Sequence, residues 1–265
     1  MKKTIVALIV CLSLGFSFSA FAEGKQLITS KEYIAYPKTY DLISSGASSY
    51  QGIGNVPNSP YFSQQDYYNL KDRKGLVLLP HYATYQQTQE TTSAPASALT
   101  LLYYYGNTSY HELKVAEEMG TFLAFSESGE IGTSVEKVAK FFEKIGYKTE
   151  SSLNVKTKNG LTCATPTLFK EFITKSLKEK TPILVENMYM GGRWRVIIGY
   201  DTMDTPATTD DVIIFMNPYD VFDQKQDGYS VESAEYFYFT WMDIGIMPRG
   251  QQMQPWVKVK PVKTE

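Results

Sequence analysis

Cysteine and histidine are scarce in this chain, which carries two of each. Cys11 lies inside an N-terminal apolar run, so Cys163 is the single thiol beyond it and no internal disulfide can form there. In an oxidising compartment a lone thiol is expected to be buried and inert, with an intermolecular bridge as the alternative. A strong charge of either sign is also missing. Residues 1–22 hold two lysines and no acids, so their removal leaves 24 basic against 28 acidic residues. That balance argues against a nucleic-acid surface. Beyond the N-terminus no apolar run approaches the roughly 20 residues that span a bilayer. No internal repeat and no heptad pattern is present.

The N-terminus reads as an export signal. Lys2 and Lys3 precede an apolar run over Thr4 to Phe18, and Ala20-Phe21-Ala22 is a small-x-small cleavage site. Cys11 lacks the small residue expected before a lipid-anchored cysteine. The expectation is a mature chain from Glu23, soluble and outside the cytoplasm, either periplasmic or secreted.

Residues 23–75 are rich in Tyr, Ser, Asn, Gln, Gly and Pro and show no helical period. They read as an extended arm that wraps the domain or docks on a partner. The whole chain has 20 tyrosines, a residue favoured where a surface must bind. The domain itself is expected over 76–243, opening on a buried strand at Leu76 to Leu79. Four helices follow. Thr92 to Tyr105 has Pro95 in its first turn and Gly106 just beyond its end. Ser109 with Glu112 forms a capping box for a helix to Met119, and Thr133 with Glu136 forms one for a helix ending before Gly146. Thr165 to Glu179 carries Leu168, Phe169, Phe172, Ile173 and Leu177 on an apolar face. Strands are expected at Ile183 to Val185, Trp194 to Tyr200, Val212 to Met216 and Tyr236 to Thr240. Helices first and strands second is an α+β pattern, a helical layer on an antiparallel sheet. Residues 244–265 read as a C-terminal tail, mobile after Gly250, where it carries Trp256, Lys258, Lys260 and Lys263.

Three motifs carry a family resemblance. Gln87, five further residues and then Ser93-Ala94-Pro95-Ala96-Ser97 open a helix that ends Tyr103-Tyr104-Tyr105-Gly106. Gly191-Gly192-Arg193-Trp194 precedes a strand ending Ile198-Gly199-Tyr200-Asp201, and the next strand ends Asn217-Pro218. In spacing and order these resemble the active-site motifs of the bacteriocin-leader-processing cysteine peptidases over roughly residues 76–243. The resemblance implies a papain-like fold. It also implies that Gln87 stands at the oxyanion-hole position, Ser93 at the nucleophile, Arg193 at the base and Asn217 at the orienting position.

The departures from the family pattern bear on function. A papain-like site needs a thiolate at a helix N-terminus and an imidazole to take its proton. Here a serine stands for the thiol. Arg193 cannot accept a proton, because its pKa exceeds 12. His81 and His111 lie at other places in the pattern and read as ordinary surface or core residues. The resemblance therefore implies a catalytically degenerate member with no catalytic residue and no cofactor. Gln87, Ser93, Arg193 and Trp194 remain as binding candidates. A serine hydroxyl, an amide, a helix N-terminus and a guanidinium would form an anion-binding cleft, filled by a partner's carboxylate or by a neighbour such as Glu90.

Asn217, Asp220, Asp223 and Asp227-Gly228 supply oxygens at spacings of three to four. Calcium takes such ligands, but the pattern is not an EF-hand, and the expectation is a solvated loop with no metal. The expected function is peptide or protein binding, or scaffolding, in the cell envelope. The alternatives are a hydrolase or acyltransferase using Ser93, and a purely structural subunit.

Overall fold

The computed structural model of the chain describes residues 34–40, 46–50, 66–67, 69–155, 157 and 160–262. The segment expected to direct export and much of the expected arm lie outside the described residues. The architecture is α+β, as the order of helical and strand patterns implies.

Strand β1 (Leu76–Leu78) leads to helix α1 (Ser93–Tyr104), followed by α2 (Glu112–Met119) and α3 (Val135–Lys144). Next come β2 (Tyr147–Ser151), α4 (Pro166–Lys178), β3 (Ile183–Asn187), β4 (Arg193–Asp201) and β5 (Val212–Met216). The chain closes with β6 (Tyr229–Ser233), α5 (Ala234–Thr240) and β7 (Trp256–Pro261). The strands form one antiparallel sheet in the order β2-β7-β3-β4-β5-β6, with β1 against the second half of β4.

Helix α1 is the centre of the helical layer. Its residues Ser93 to Leu102 are all buried, which an ordinary amphipathic surface helix would not show. It stops where Gly106 takes φ +81° and Asn107 N–H reaches the Leu102 carbonyl at 2.8 Å. A residue with a side chain adopts that left-handed turn at a cost. Behind α1 lie Phe141, Phe142, Phe169, Ile173, Val196 and Ile198 in one continuous core. Gly199 lets β1 and β5 close on β4, because a Cβ there would stand 2.8 Å from Leu78 Cδ1.

Several sequence expectations are corrected. Residues 236–240 are helix, not strand. Ser233 Oγ accepts from Tyr236 N–H at 3.2 Å, and Ala234, Phe237 and Trp241 are buried at helical spacing. The alternating Tyr-Phe-Tyr-Phe run imitates the two-residue period of a strand. The end of the chain is not a mobile tail. Residues 256–261 form β7, inserted between β2 and β3, with Val257 and Val259 wholly buried. Helix α2 is capped by the His111 ring, and α3 by Ser134 Oγ accepting from Lys137 N–H at 3.3 Å, in place of the two expected boxes. Leu168 is exposed rather than on the buried face of α4.

The described parts of the arm pack on the domain. Ile34 N–H donates to the Thr84 carbonyl, the Tyr36 hydroxyl to the Gln86 carbonyl, and Ser48 N–H to the Gln87 carbonyl. The arm thus runs along the segment that carries Gln87. No helix among the described residues is long and apolar enough to cross a membrane.

Candidate functional site

The N-terminus of α1 meets the beginning of β4. Ser93 opens α1, and its Oγ accepts from Trp194 N–H at 3.1 Å. One turn on, Ser97 Oγ donates to the Trp194 carbonyl at 3.1 Å. Two serines on one helix face therefore clamp the Trp194 peptide, so Arg193 and Ser93 stand across the same cleft. The Trp194 indole N–H donates to the Thr133 carbonyl at 2.9 Å, tying the loop before α3 to the same point.

Arg193 is held by a residue from its own chain. Its Nη1 donates to the Glu90 carbonyl at 3.0 Å and its Nη2 to Glu90 Oε1. The guanidinium lies 4.3 Å above the Tyr219 ring, and the Tyr219 hydroxyl donates to Glu90 Oε2 at 3.3 Å. A flat cation stacked on an aromatic and bound by a carboxylate is well compensated. Of the two sources of a carboxylate weighed from the sequence, the neighbour Glu90 occupies the guanidinium.

Gln87 does not offer its amide to the cleft. Its Nε2 donates to the carbonyls of Gln89 and Glu90 at 2.8 and 2.9 Å, so both N–H bonds hold the turn before Ser93. Asn217 is wholly buried, and its Oδ1 accepts from Tyr219 N–H at 3.0 Å. Neither residue lines the cleft. The structure thus brings Ser93, Arg193 and Trp194 together and leaves Gln87 and Asn217 as supports behind them.

The residue that fixes this turn was read from the sequence as a helix cap. Glu112 is fully buried, and its carboxylate accepts from Thr88 N–H at 2.8 Å, Thr88 Oγ1 at 2.7 Å, Tyr85 OH at 3.0 Å and Thr92 Oγ1. Four donors from residues 85–92 converge on one side chain of α2. Burial raises its pKa, while the Thr92, Thr88 and Tyr85 donors oppose the rise. A buried Glu inside a helix-start pattern leaves no local mark that separates it from a capping Glu.

The cleft has a volume of about 230 Å³. Ser93, Gly192, Arg193 and Trp194 form its inner end, with Phe125, Ile131, Met190 and Ile246 along its walls. Phe125 and Met190 are exposed. His81 and His111 are elsewhere. His111 Nδ1 lies 3.0 Å from the Tyr40 hydroxyl at the start of α2, and His81 borders a separate recess with Tyr67, Asp72 and Tyr229.

The sequence suggested a solvated loop over 217–228, but its two ends, 217–220 and 226–228, are buried and only residues 221–225 reach the surface. Asp220 and Asp227 are buried because their carboxylates accept backbone N–H bonds from Gly228 and Tyr229. Burial first, and the other loop carboxylates second, raise Asp220 well above the usual carboxylate range. Burial raises Asp227 to about 6. Lys225 Nζ lies 3.3 Å from Asp227 Oδ2. Among the described residues, no group of three or more His, Cys, Asp or Glu is placed to hold a metal ion. Cys163 is buried, and burial pushes its thiol up to about 12, far from the range of a reactive thiolate.

No protein-family model matches the chain, and no curated protein matches it. Similar solved structures include the peptidase domain of Streptococcus ComA, a bifunctional ABC transporter involved in a quorum-sensing pathway. It is 15% identical, with a TM-score of 0.43 over 69% of this chain and 100% of that one. Another is a double-glycine-motif protease from an AMS/PCAT transporter in complex with the leader peptide, 14% identical, with a TM-score of 0.39 over 68% of this chain and 91% of that one.

Proposed function

We propose that this chain is an exported pseudo-peptidase of the cell envelope, periplasmic or secreted, whose cleft holds a peptide or protein segment without cutting it. One observation carries the reading. The groups that meet at Ser93 are donors: the Trp194 N–H bonds its Oγ, and Arg193 stands where a base would be needed. A serine hydroxyl is a poor nucleophile until a neighbouring base removes its proton. The Glu90 carboxylate, in the same cleft, is committed to Arg193 and Tyr219. The apolar, exposed walls around Phe125 and Met190 favour a contact role for the cleft.

The test uses the full chain and a mixed pool of synthetic peptides, read by mass spectrometry. The expected result is retention of intact peptides and no fragments, with retention lost in Ile246→Arg, which places a charge on the cleft wall. Fragments that disappear in Ser93→Ala would support a hydrolase or acyltransferase instead. Retention indifferent to Ile246→Arg would remove the cleft from the account and leave a structural role for the fold.

A further inference from the structure

Two acidic side chains lie under the cleft and take no part in the Ser93–Arg193 arrangement. Glu186, on β3, and Asp243, in the turn after α5, are each 1% exposed. Gly192 covers them. It has φ +93°, and a Cβ there would stand 2.5 Å from Asp243 Oδ2 and 3.3 Å from Glu186 Oε1. Asp243 Oδ1 accepts from the Gly245 and Ile246 N–H groups, each at 2.8 Å, and the Asp243 N–H donates to the Gln252 carbonyl at 2.9 Å. The carboxyls of Glu186 and Asp243 are bonded to each other. Two carboxyls bond only through a proton that one of them carries, so this contact exists in one protonation state.

The pair joins two parts of the cleft wall. Glu186 belongs to the sheet, whereas Asp243 holds the turn that carries Ile246 and Met247 into the cleft lining. Glu186 Oε1, Glu186 Oε2 and Asp243 Oδ2 meet no N–H or hydroxyl donor among the described residues. The surrounding groups offer no substitute for the proton. On β4, Arg195 acts on Glu186 but is bound by Glu232 and Asn187, and Arg193 is bound by Glu90. The turn at residues 189–191 brings Tyr189, whose ring lies against the Arg195 guanidinium. On the β7 side the Glu186 N–H donates to the Pro255 carbonyl, and Trp256 pairs with Val185. Neither carries a charge. Ser93 of α1 and Thr133 before α3, which line the same cleft, are uncharged as well.

We infer that the proton between Glu186 and Asp243 is a pH-operated latch on the cleft wall, holding the 243–247 turn against β3 while present and freeing Ile246 when it leaves. The latch belongs to the wall itself and stands whether or not the cleft holds a peptide. Loss of the proton would leave two carboxylates face to face in a buried place with no donor between them, and like charges so placed repel strongly. β3 is bonded on both sides, to β4 and to β7, so Glu186 is the fixed partner. Asp243 sits in a turn whose next residues, Ile244 and Gly245, are exposed, and it moves with the two amides it holds. Burial, and then the Asp243 carboxyl, raise Glu186 well above the usual carboxylate range, with Arg195 opposing. The latch is therefore closed at acidic pH and opens only as pH rises past ordinary carboxylate values.

The test is amide hydrogen exchange of the ¹⁵N-labelled full chain from about pH 5 to about pH 9, each rate expressed as protection against its intrinsic rate at the same pH. The amides read are Gly245 and Ile246, with the wholly buried Ile197 of β4 as the reference for opening of the whole domain. The expected result is that protection of Gly245 and Ile246 falls at least about tenfold more than that of Ile197 across this range. In Glu186→Gln the side-chain amide donates to Asp243 with no proton to titrate, so protection of the two amides relative to Ile197 should stay level. Asp243→Asn serves if that variant fails to fold. Its amide can donate to Glu186 while its oxygen still accepts from Gly245 and Ile246, and its profile should be level too. A level profile in the native chain would overturn the latch, as would the same fall in the native chain and the variants. A fall that Ile197 matches would also overturn it, assigning the pH response to the whole domain.

Discussion

Ser93 and Trp194, 101 residues apart in sequence, are joined by a single bond: the Trp194 backbone N–H donates to Ser93 Oγ at 3.1 Å. This bond sets the first turn of α1 against the start of β4 and places Arg193 over the cleft. It also spends a lone pair of the hydroxyl on a donor, in a place where nucleophilic chemistry would need an acceptor for its proton. Glu90 and Tyr219 hold the Arg193 guanidinium at the same cleft.

Restoring the missing chemistry should change the reactivity of position 93. In Ser93→Cys the thiol would lie at a helix N-terminus, facing a guanidinium that Glu90 already compensates. Adding Arg193→His would set an imidazole opposite, able to form a thiolate–imidazolium pair. Iodoacetamide should therefore alkylate the double variant faster at neutral pH than Ser93→Cys alone. Equal rates would mean that residue 193 does not act on residue 93.

Glu112 should behave as a buried acceptor and not as a helix cap. Glu112→Ala would leave Thr88 N–H and the Thr92 and Tyr85 hydroxyls without their acceptor. It should lower stability by about 2–3 kcal/mol, with a smaller loss for Glu112→Gln. Urea unfolding of both variants measures this. A loss of only about 0.5 kcal/mol for the alanine variant would be the size of a weak cap effect.

Residues 256–261 should be indispensable. β7 bonds both β2 and β3 along its length, so its removal opens the sheet and exposes the apolar faces of Val257 and Val259. A chain ended after Gly250 should show no cooperative thermal unfolding by circular dichroism. A cooperative transition near that of the full chain would show that the strand is dispensable.

Stability should fall as pH rises through the neutral range. Burial raises Asp220, Glu186 and Glu112, and takes Asp227 to about 6. The unfolded chain releases these protons at ordinary carboxylate values. The folded chain therefore binds more protons within the window, and its stability decreases through it. The contribution is fully present below the unfolded carboxylate values and is lost as pH passes the raised folded ones. Lys258, lowered to about 8 by burial, acts in the opposite sense only above that pH. Urea midpoints should be higher near about pH 5 than near about pH 8, with a shallower slope in Asp227→Asn. A midpoint that stays level or rises across that range would contradict the burial assignments.

The parts of this architecture that were legible in the sequence are those with local signals. Pro95 and Gly106 mark the ends of α1, the helix expected over 165–179 is α4 within a residue at each end, and the β-branched run over 212–216 is β5 to the residue. The Gly-Gly-Arg-Trp motif lies at the start of β4, against α1, and the Asn-Pro motif at the end of β5, against the segment that leads into α1. What was missed depends on distant partners or on a misleading period. The Tyr-Phe alternation over 236–239 hides a helix whose buried residues are Ala234, Phe237 and Trp241. The lysines of β7 suggested a solvated tail, yet Lys258 lies 3.8 Å over the Phe172 ring. Nothing near Glu186 announces Asp243, 57 residues on, because only the turn after α5 brings their carboxyls together.

Ser93 without a base to activate it should resist covalent labelling. The full chain would be incubated with a fluorophosphonate, a serine-directed phosphonylating probe, and its intact mass and peptide map recorded. No adduct is expected at Ser93, and the native chain and Ser93→Ala should show the same absence of labelling. An adduct mapped to Ser93 and lost in Ser93→Ala would show an activated hydroxyl and contradict it.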